Sequence, residues 1–136
     1  EQSLVEPEPG GNSLNWVVGH ICVARNAMVK LLRGAGHLPD DALAMYSRGG
    51  EFSTDRALGL GMLLTHHAAM QQQLIEGLCE IDEEAFAAPA PFSPIDDPNE
   101  TVGSLLTKTV AHEMYHAGQA GYLRRILGLK GKIGQA

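Results

Sequence analysis

The feature that most restricts how this chain can fold lies in its last long helical stretch, where Val102, Leu105, Thr109, His112, His116, Ala120 and Leu123 recur at three- and four-residue spacing. Such spacing gathers them on one helix face, the face that a bundle buries. Two imidazoles thus occupy positions where core residues belong. Buried polar rings are costly unless something pairs with them. On a helix, residues four apart lie about 40° apart around the axis and one turn along it, so both rings can address one metal ion.

The same stretch contains His112-Glu113-Met114-Tyr115-His116. As a bare pattern this is the His-Glu-x-x-His of zinc proteases, whose Glu acts as base on a metal-activated water. Those enzymes take their third ligand from a downstream segment. Here the twenty residues after His116 contain no His, Asp, Glu or Cys. The third donor must lie upstream, and His20 is the best one, set in the mostly apolar helical run Asn15-Trp16-Val17-Val18-Gly19-His20-Ile21. A ferritin-like di-iron centre fails on ligand type, because it needs several inward Glu and Glu-x-x-His pairs.

Asn15-Trp16-x-x-Gly19-His20-Ile21, followed far downstream by His112-Glu113-x-Tyr115-His116-x-Gly118-Gln119, resembles the DinB/YfiT-like superfamily of bacterial metal-binding four-helix bundles. The likeness covers most of the chain, from about Gly11 to Gly128, and the second motif is the more specific. It implies an all-α, up-down-down-up bundle with one divalent ion, zinc or nickel, held by His20, His112 and His116. It also implies a homodimer acting on a small molecule. Within the family, some members are S-transferases or isomerases that use a low-molecular-weight thiol, and others are labelled metal-dependent hydrolases. A metal-binding or interaction module without turnover is a third reading. Members carry a further long helix before the Pro-rich N-terminal linker, and that first helix is expected to be missing here.

Three neutral imidazoles leave a divalent ion open to water or a substrate atom, the arrangement of catalytic rather than closed structural sites. Glu113 is the candidate base, with the alternative that it orients a ligand from outside the coordination sphere. Tyr115 and Gln119 are candidates for the same supporting shell. Trp16, one turn before His20, either walls the pocket or packs in the core. His67 lies on an inward stripe with Gln71, as a fourth ligand, a substrate-binding imidazole, or a helix-surface or hydrogen-bonded core histidine, and His66 points about 100° away. His37 reads as a solvated loop residue.

The whole chain, 1–136, reads as one domain of 136 residues. A linker occupies 1–12, and long helices are expected at 13–33, about 54–80 and about 98–127. Ser53 is read as the cap of the second helix, whose inward stripe is Ala57, Leu60, Leu64, Ile75 and Leu78. Residues 81–97 form an irregular crossover containing Pro89, Pro91 and Pro94. Asp97-Pro98-Asn99-Glu100 reads as a capping box opening the last helix, and Gly128 as its stop. Cys22 and Cys79 share no paired spacing and read as buried, unreactive thiols.

A formal charge of −6 argues against a nucleic-acid partner, which would require clustered basic residues. The basic group Arg124, Arg125, Lys130 and Lys132 falls near a helix C-terminus, where the macrodipole favours cations. With no apolar run near the roughly 20 residues that span a bilayer, and no charged-then-apolar leader, no membrane association and a cytoplasmic location are expected.

Overall fold

The computed structural model describes residues 2–129, so Lys130 and Lys132 lie outside the described residues. Among the described residues, a 3₁₀ turn at Gln2–Leu4 is followed by five helices: α1 Leu14–Leu31, α2 Asp40–Tyr46, α3 Leu60–Glu80, α4 Glu83–Ala87 and α5 Val102–Ile126. Among the described residues the one β-type pairing is an isolated antiparallel bridge between Pro89 and Thr101. No helix is long and apolar enough to cross a membrane among the described residues.

α1 is the central helix, with α3 and α5 both packed along it and scarcely touching each other. α3 runs parallel to it, since Cys22 meets Leu63, Arg25 meets Gln71, and Leu32 lies against Gly77. α5 runs the other way: Leu123 packs on Val17 and Ile21, while Glu113 reaches Arg25. The three long helices therefore run down, down and up. One apolar cluster joins Cys22, Val29, Leu38 and Met70, and a second joins Ala42, Met45, Tyr46 and Leu63.

α1 starts at Leu14 because Ser13 accepts the Trp16 backbone N–H at 3.2 Å, filling one of the open donors of the first turn. It ends in a Schellman arrangement: Gly34 N–H bonds to Val29 O and Arg33 N–H to Lys30 O. The left-handed position in that motif is held by Arg33, at φ 66°, rather than by a glycine. α5 closes in the same way with Gly128, at φ 68°, in that position.

Two helix starts differ from the sequence reading. α3 begins at Leu60, not near residue 54, and Ser53 does not cap it. The reason lies in Leu58, whose carbonyl accepts Asn15 Nδ2 at 2.8 Å and whose N–H donates to Tyr46 Oη at 2.9 Å. Both backbone groups of Leu58 are thus occupied by side chains from α1 and α2, which leaves none for a helix running through this residue. α5 begins after Thr101, because Ala90 N–H bonds to Glu100 O and Val102 N–H to Ala88 O, drawing that stretch into extended pairing. Asp97 takes the Asn99 N–H in a local turn instead. The capping box is Thr101 with Ser104, each side chain meeting the other's backbone N–H.

The buried face of α3 also differs. Leu63 and Met70 are fully buried, whereas Leu64, Ile75 and Leu78 are about half exposed. The helix carries two apolar stripes about 100° apart. Packing of Leu63 beside Tyr46 selects the one that was not expected. Cys22 is buried and its thiol is pushed up to about 11, chiefly by burial. Cys79 is free and exposed, which corrects the expectation of a buried thiol there.

A candidate metal centre of three histidines

α1 contributes His20, and α5 contributes His112 and His116. Donor nitrogens of the three lie within 4.8 Å of one another. The ring centroids are 5.1 Å apart for His20 and His112, 4.9 Å for His20 and His116, and 4.4 Å for His112 and His116. Nε2 of His112 and Nε2 of His116 approach to 3.0 Å. Zinc–nitrogen bonds of about 2.0–2.1 Å in a tetrahedral site set ligand nitrogens roughly 3.3 Å apart, so the cluster is close to the spacing such an ion needs.

The opposite edges of two rings are already taken. His20 Nδ1 donates to the Tyr46 carbonyl at 2.8 Å, and His116 Nδ1 to Gln119 Oε1 at 2.7 Å. Each bond puts the ring proton on Nδ1 and leaves Nε2 as the accepting nitrogen, as at metal-binding histidines, with His116 Nε2 meeting His112 Nε2. His112 and His116 are both shifted toward the neutral form. For His112 the cause is burial first, then the neighbouring His116 and His20; for His116 it is burial, which outweighs the opposing Gln119 bond. Neutral imidazole is the form that ligates. The donor set thus fits a divalent ion.

Trp16 stacks on His20 with ring centroids 4.7 Å apart and planes at 10°, and it meets His116 edge-on at 6.4 Å. It is therefore one wall of the cluster as well as a core neighbour of Val17, Ile21 and Leu123. Tyr115 packs edge-on against His116 at 5.1 Å, and its hydroxyl accepts Gln119 Nε2 at 3.1 Å. Gln119 thereby links Tyr115 to His116.

Glu113 sits apart from this set. Arg25 grips both its oxygens, Nε to Oε2 at 2.9 Å and Nη2 to Oε1 at 2.6 Å, and His67 Nε2 lies 3.3 Å from Oε1. Burial pushes its carboxyl upward, but the Arg25 bonds and charge, with His67, hold it below the ordinary carboxylate value. A carboxylate held in this way is a poor proton acceptor. His67 therefore meets Glu113 and not the triad, while His66 faces His37 with centroids 6.4 Å apart.

The sequence reading assigned no role to three residues, although Gly19 stands in the upstream motif. Gly19 lies under the Tyr46 ring, where an added Cβ would come within 2.2 Å of it. The carbonyl of the same tyrosine meets Nδ1 of the next residue, His20. Arg25 was detectable as the one charged residue between Ser13 and Val29. Tyr46, in a short helix within a connector, gave no such signal.

The family model of the DinB superfamily matches residues 1–120. This chain is a member of the DinB superfamily. No curated protein and no solved structure matches it.

Proposed function

We propose that this protein is a metal-dependent enzyme that holds one divalent ion, zinc or nickel, through His20, His112 and His116, and transfers a thiol sulfur to a small electrophile. The observation that carries the reading is the closeness of the three rings, with donor atoms within 4.8 Å of one another, together with outer bonds to Tyr46 and Gln119 that occupy Nδ1 of His20 and of His116. When bound, the ion supplies a positive charge that ionises a coordinated thiol at neutral pH. A thiol activated in that way needs no protein base. The same ion would also acidify a coordinated water, but hydrolysis assisted by a protein base would lack a free one in Glu113, which is paired with Arg25. The engagement of Glu113 thus favours thiol over water as the nucleophile.

In this reading Trp16 shields one face of His20 from water, and Gln119 keeps His116 in the ligating tautomer. The thiol and the electrophile would enter beside Tyr115, which is exposed. A reducing cytoplasm, where low-molecular-weight thiols abound, is part of the same proposal. So is a homodimer, in which a second copy covers Leu64, Ile75 and Leu78 on α3 with Val110 and Met114 on α5, all about half exposed or more.

The test is a purification without added metal, elemental analysis, and an assay of electrophile loss with and without a panel of small thiols. Loss that requires thiol and disappears in His116→Ala supports the proposal. Turnover with water alone would assign hydrolysis, and stoichiometric metal with no turnover would assign a binding module. Protein that takes up no divalent ion would end all three.

A further inference from the structure

The buried Arg25 belongs to no ligand set, yet its guanidinium touches both other long helices. Nε and Nη2 hold the two oxygens of Glu113 on α5, and Nη1 donates to Gln71 Oε1 on α3 at 2.6 Å. His67 on α3 adds a contact to Glu113. The side chains of Arg25 and Glu113 are only 11% and 28% exposed. α3 and α5 scarcely touch each other directly, so this cluster is where the three helices are joined by polar bonds.

Its place matters as much as its bonds. Glu113 directly follows His112, and Arg25 stands little more than a turn after His20 on α1. A two-pronged guanidinium–carboxylate pair fixes both distance and orientation, which a single point contact does not. We propose that Arg25 and Glu113, braced by Gln71 and His67, form a clamp that sets the register of α5 on α1 and so holds His112 and His116 opposite His20. Glu113 is then a positioning residue. This rests on the three-histidine site proposed above, and it accounts for the acid of the His-Glu-x-x-His pattern without a role at the reacting atoms.

Co²⁺ is the probe, because its visible absorption reports coordination geometry as well as occupancy. Wild type, Glu113→Gln, Arg25→Lys and the exchanged pair Arg25→Glu with Glu113→Arg are titrated with Co²⁺, and the metal-free forms are compared by circular dichroism. Each single change is expected to weaken Co²⁺ binding about tenfold and to alter the visible spectrum, as changes just outside a coordination sphere do. The exchanged pair is expected to recover most of the affinity, which loss of bulk stability alone would not produce. Folded single variants with wild-type affinity and spectrum would overturn the clamp. If Glu113→Gln loses its helicity, Gln71→Ala, at an exposed position, decides the matter: weaker binding supports the clamp and unchanged binding and spectrum overturn it. Wild type that takes up no Co²⁺ would overturn the metal site instead. The clamp is then judged by amide exchange at 109–117 in the metal-free protein, faster in Glu113→Gln if the clamp holds and unchanged if it does not.

Discussion

The chain carries two histidine pairs on long helices, His112/His116 on α5 and His66/His67 on α3, and only in the first do both rings converge with a third imidazole. The adjacent residues of α3 point about 100° apart, and their rings part company, one toward His37 and the other toward Glu113. The pair on α5 shares a face, and that face meets α1 at His20. Spacing is only half of the difference. The triad also has outside partners that leave its nitrogens facing one another, Tyr46 for His20 and Gln119 for His116. A cluster of histidines becomes a ligand set when both the helix period and the outer hydrogen bonds agree.

The sharpest way to break this comparison is to remove one ring from each pair. His116→Ala is expected to weaken zinc binding by more than about 100-fold, exceeding the effect of losing a residue outside the coordination sphere. His66→Ala is expected to leave it unchanged. Competition titration against a chromophoric chelator measures both. Equal losses would mean that the two pairs do not differ as described.

That contrast was largely legible in the sequence, because the α5 stripe of Val102, Leu105, Thr109, His112, His116, Ala120 and Leu123 is a local pattern. The inward direction of α3 was not. Leu63, Met70 and Leu74 compete with Leu60, Leu64, Ile75 and Leu78 on one helix, and the choice between them is made by Tyr46, distant in sequence. The starts of α3 and α5 failed for a related reason: long-range partners of Leu58 and of the 88–90 stretch overrode caps that looked adequate locally. At the site, the candidate ligands could be picked out from residue type and period, whereas the partner of a ring's second nitrogen, Tyr46 for His20, depends on tertiary placement.

Next in size is Gly19→Ala, which tests whether the support of His20 is as close as it looks. A methyl group there would lie 2.2 Å from the Tyr46 ring, so the ring or the helix must move. Overpacking of this kind costs about 1–3 kcal/mol, read as a lower urea midpoint of the metal-free protein. Displacing Tyr46 would also loosen the carbonyl that holds His20 Nδ1. Loss of stability with unchanged zinc affinity would show that this carbonyl contributes nothing to the site.

Gln119→Leu addresses the other outer bond. It keeps the side chain's bulk and removes the acceptor that holds His116 Nδ1–H at 2.7 Å. Zinc affinity is expected to fall about tenfold, the lower end for such partners, with little change in helicity. Since α3 histidines have no part in that bond, the same substitution is expected to leave His66 and His67 undisturbed in ¹H–¹⁵N ring spectra.

The smallest effect is on the stability of the metal-free protein between pH 7 and 5.5. His112 and His116 are held below their ordinary value of 6.5, by burial first. Below that ordinary value the unfolded chain therefore binds more protons than the native one, so stability is fully present above it and is lost as pH falls through the lowered native values. Glu100 lies outside this window: hydrogen bonds from Lys108 and Ser104 hold its carboxyl down to about 2, so its contribution is lost only below the ordinary carboxylate value of 4.5. Urea midpoints measured across pH 7 to 5.5 should decline in the wild type and decline less in His112→Gln/His116→Gln. A matching decline in that double variant would mean that His112 and His116 contribute nothing of their own to the pH dependence, and the case for this pair would then rest on its geometry alone.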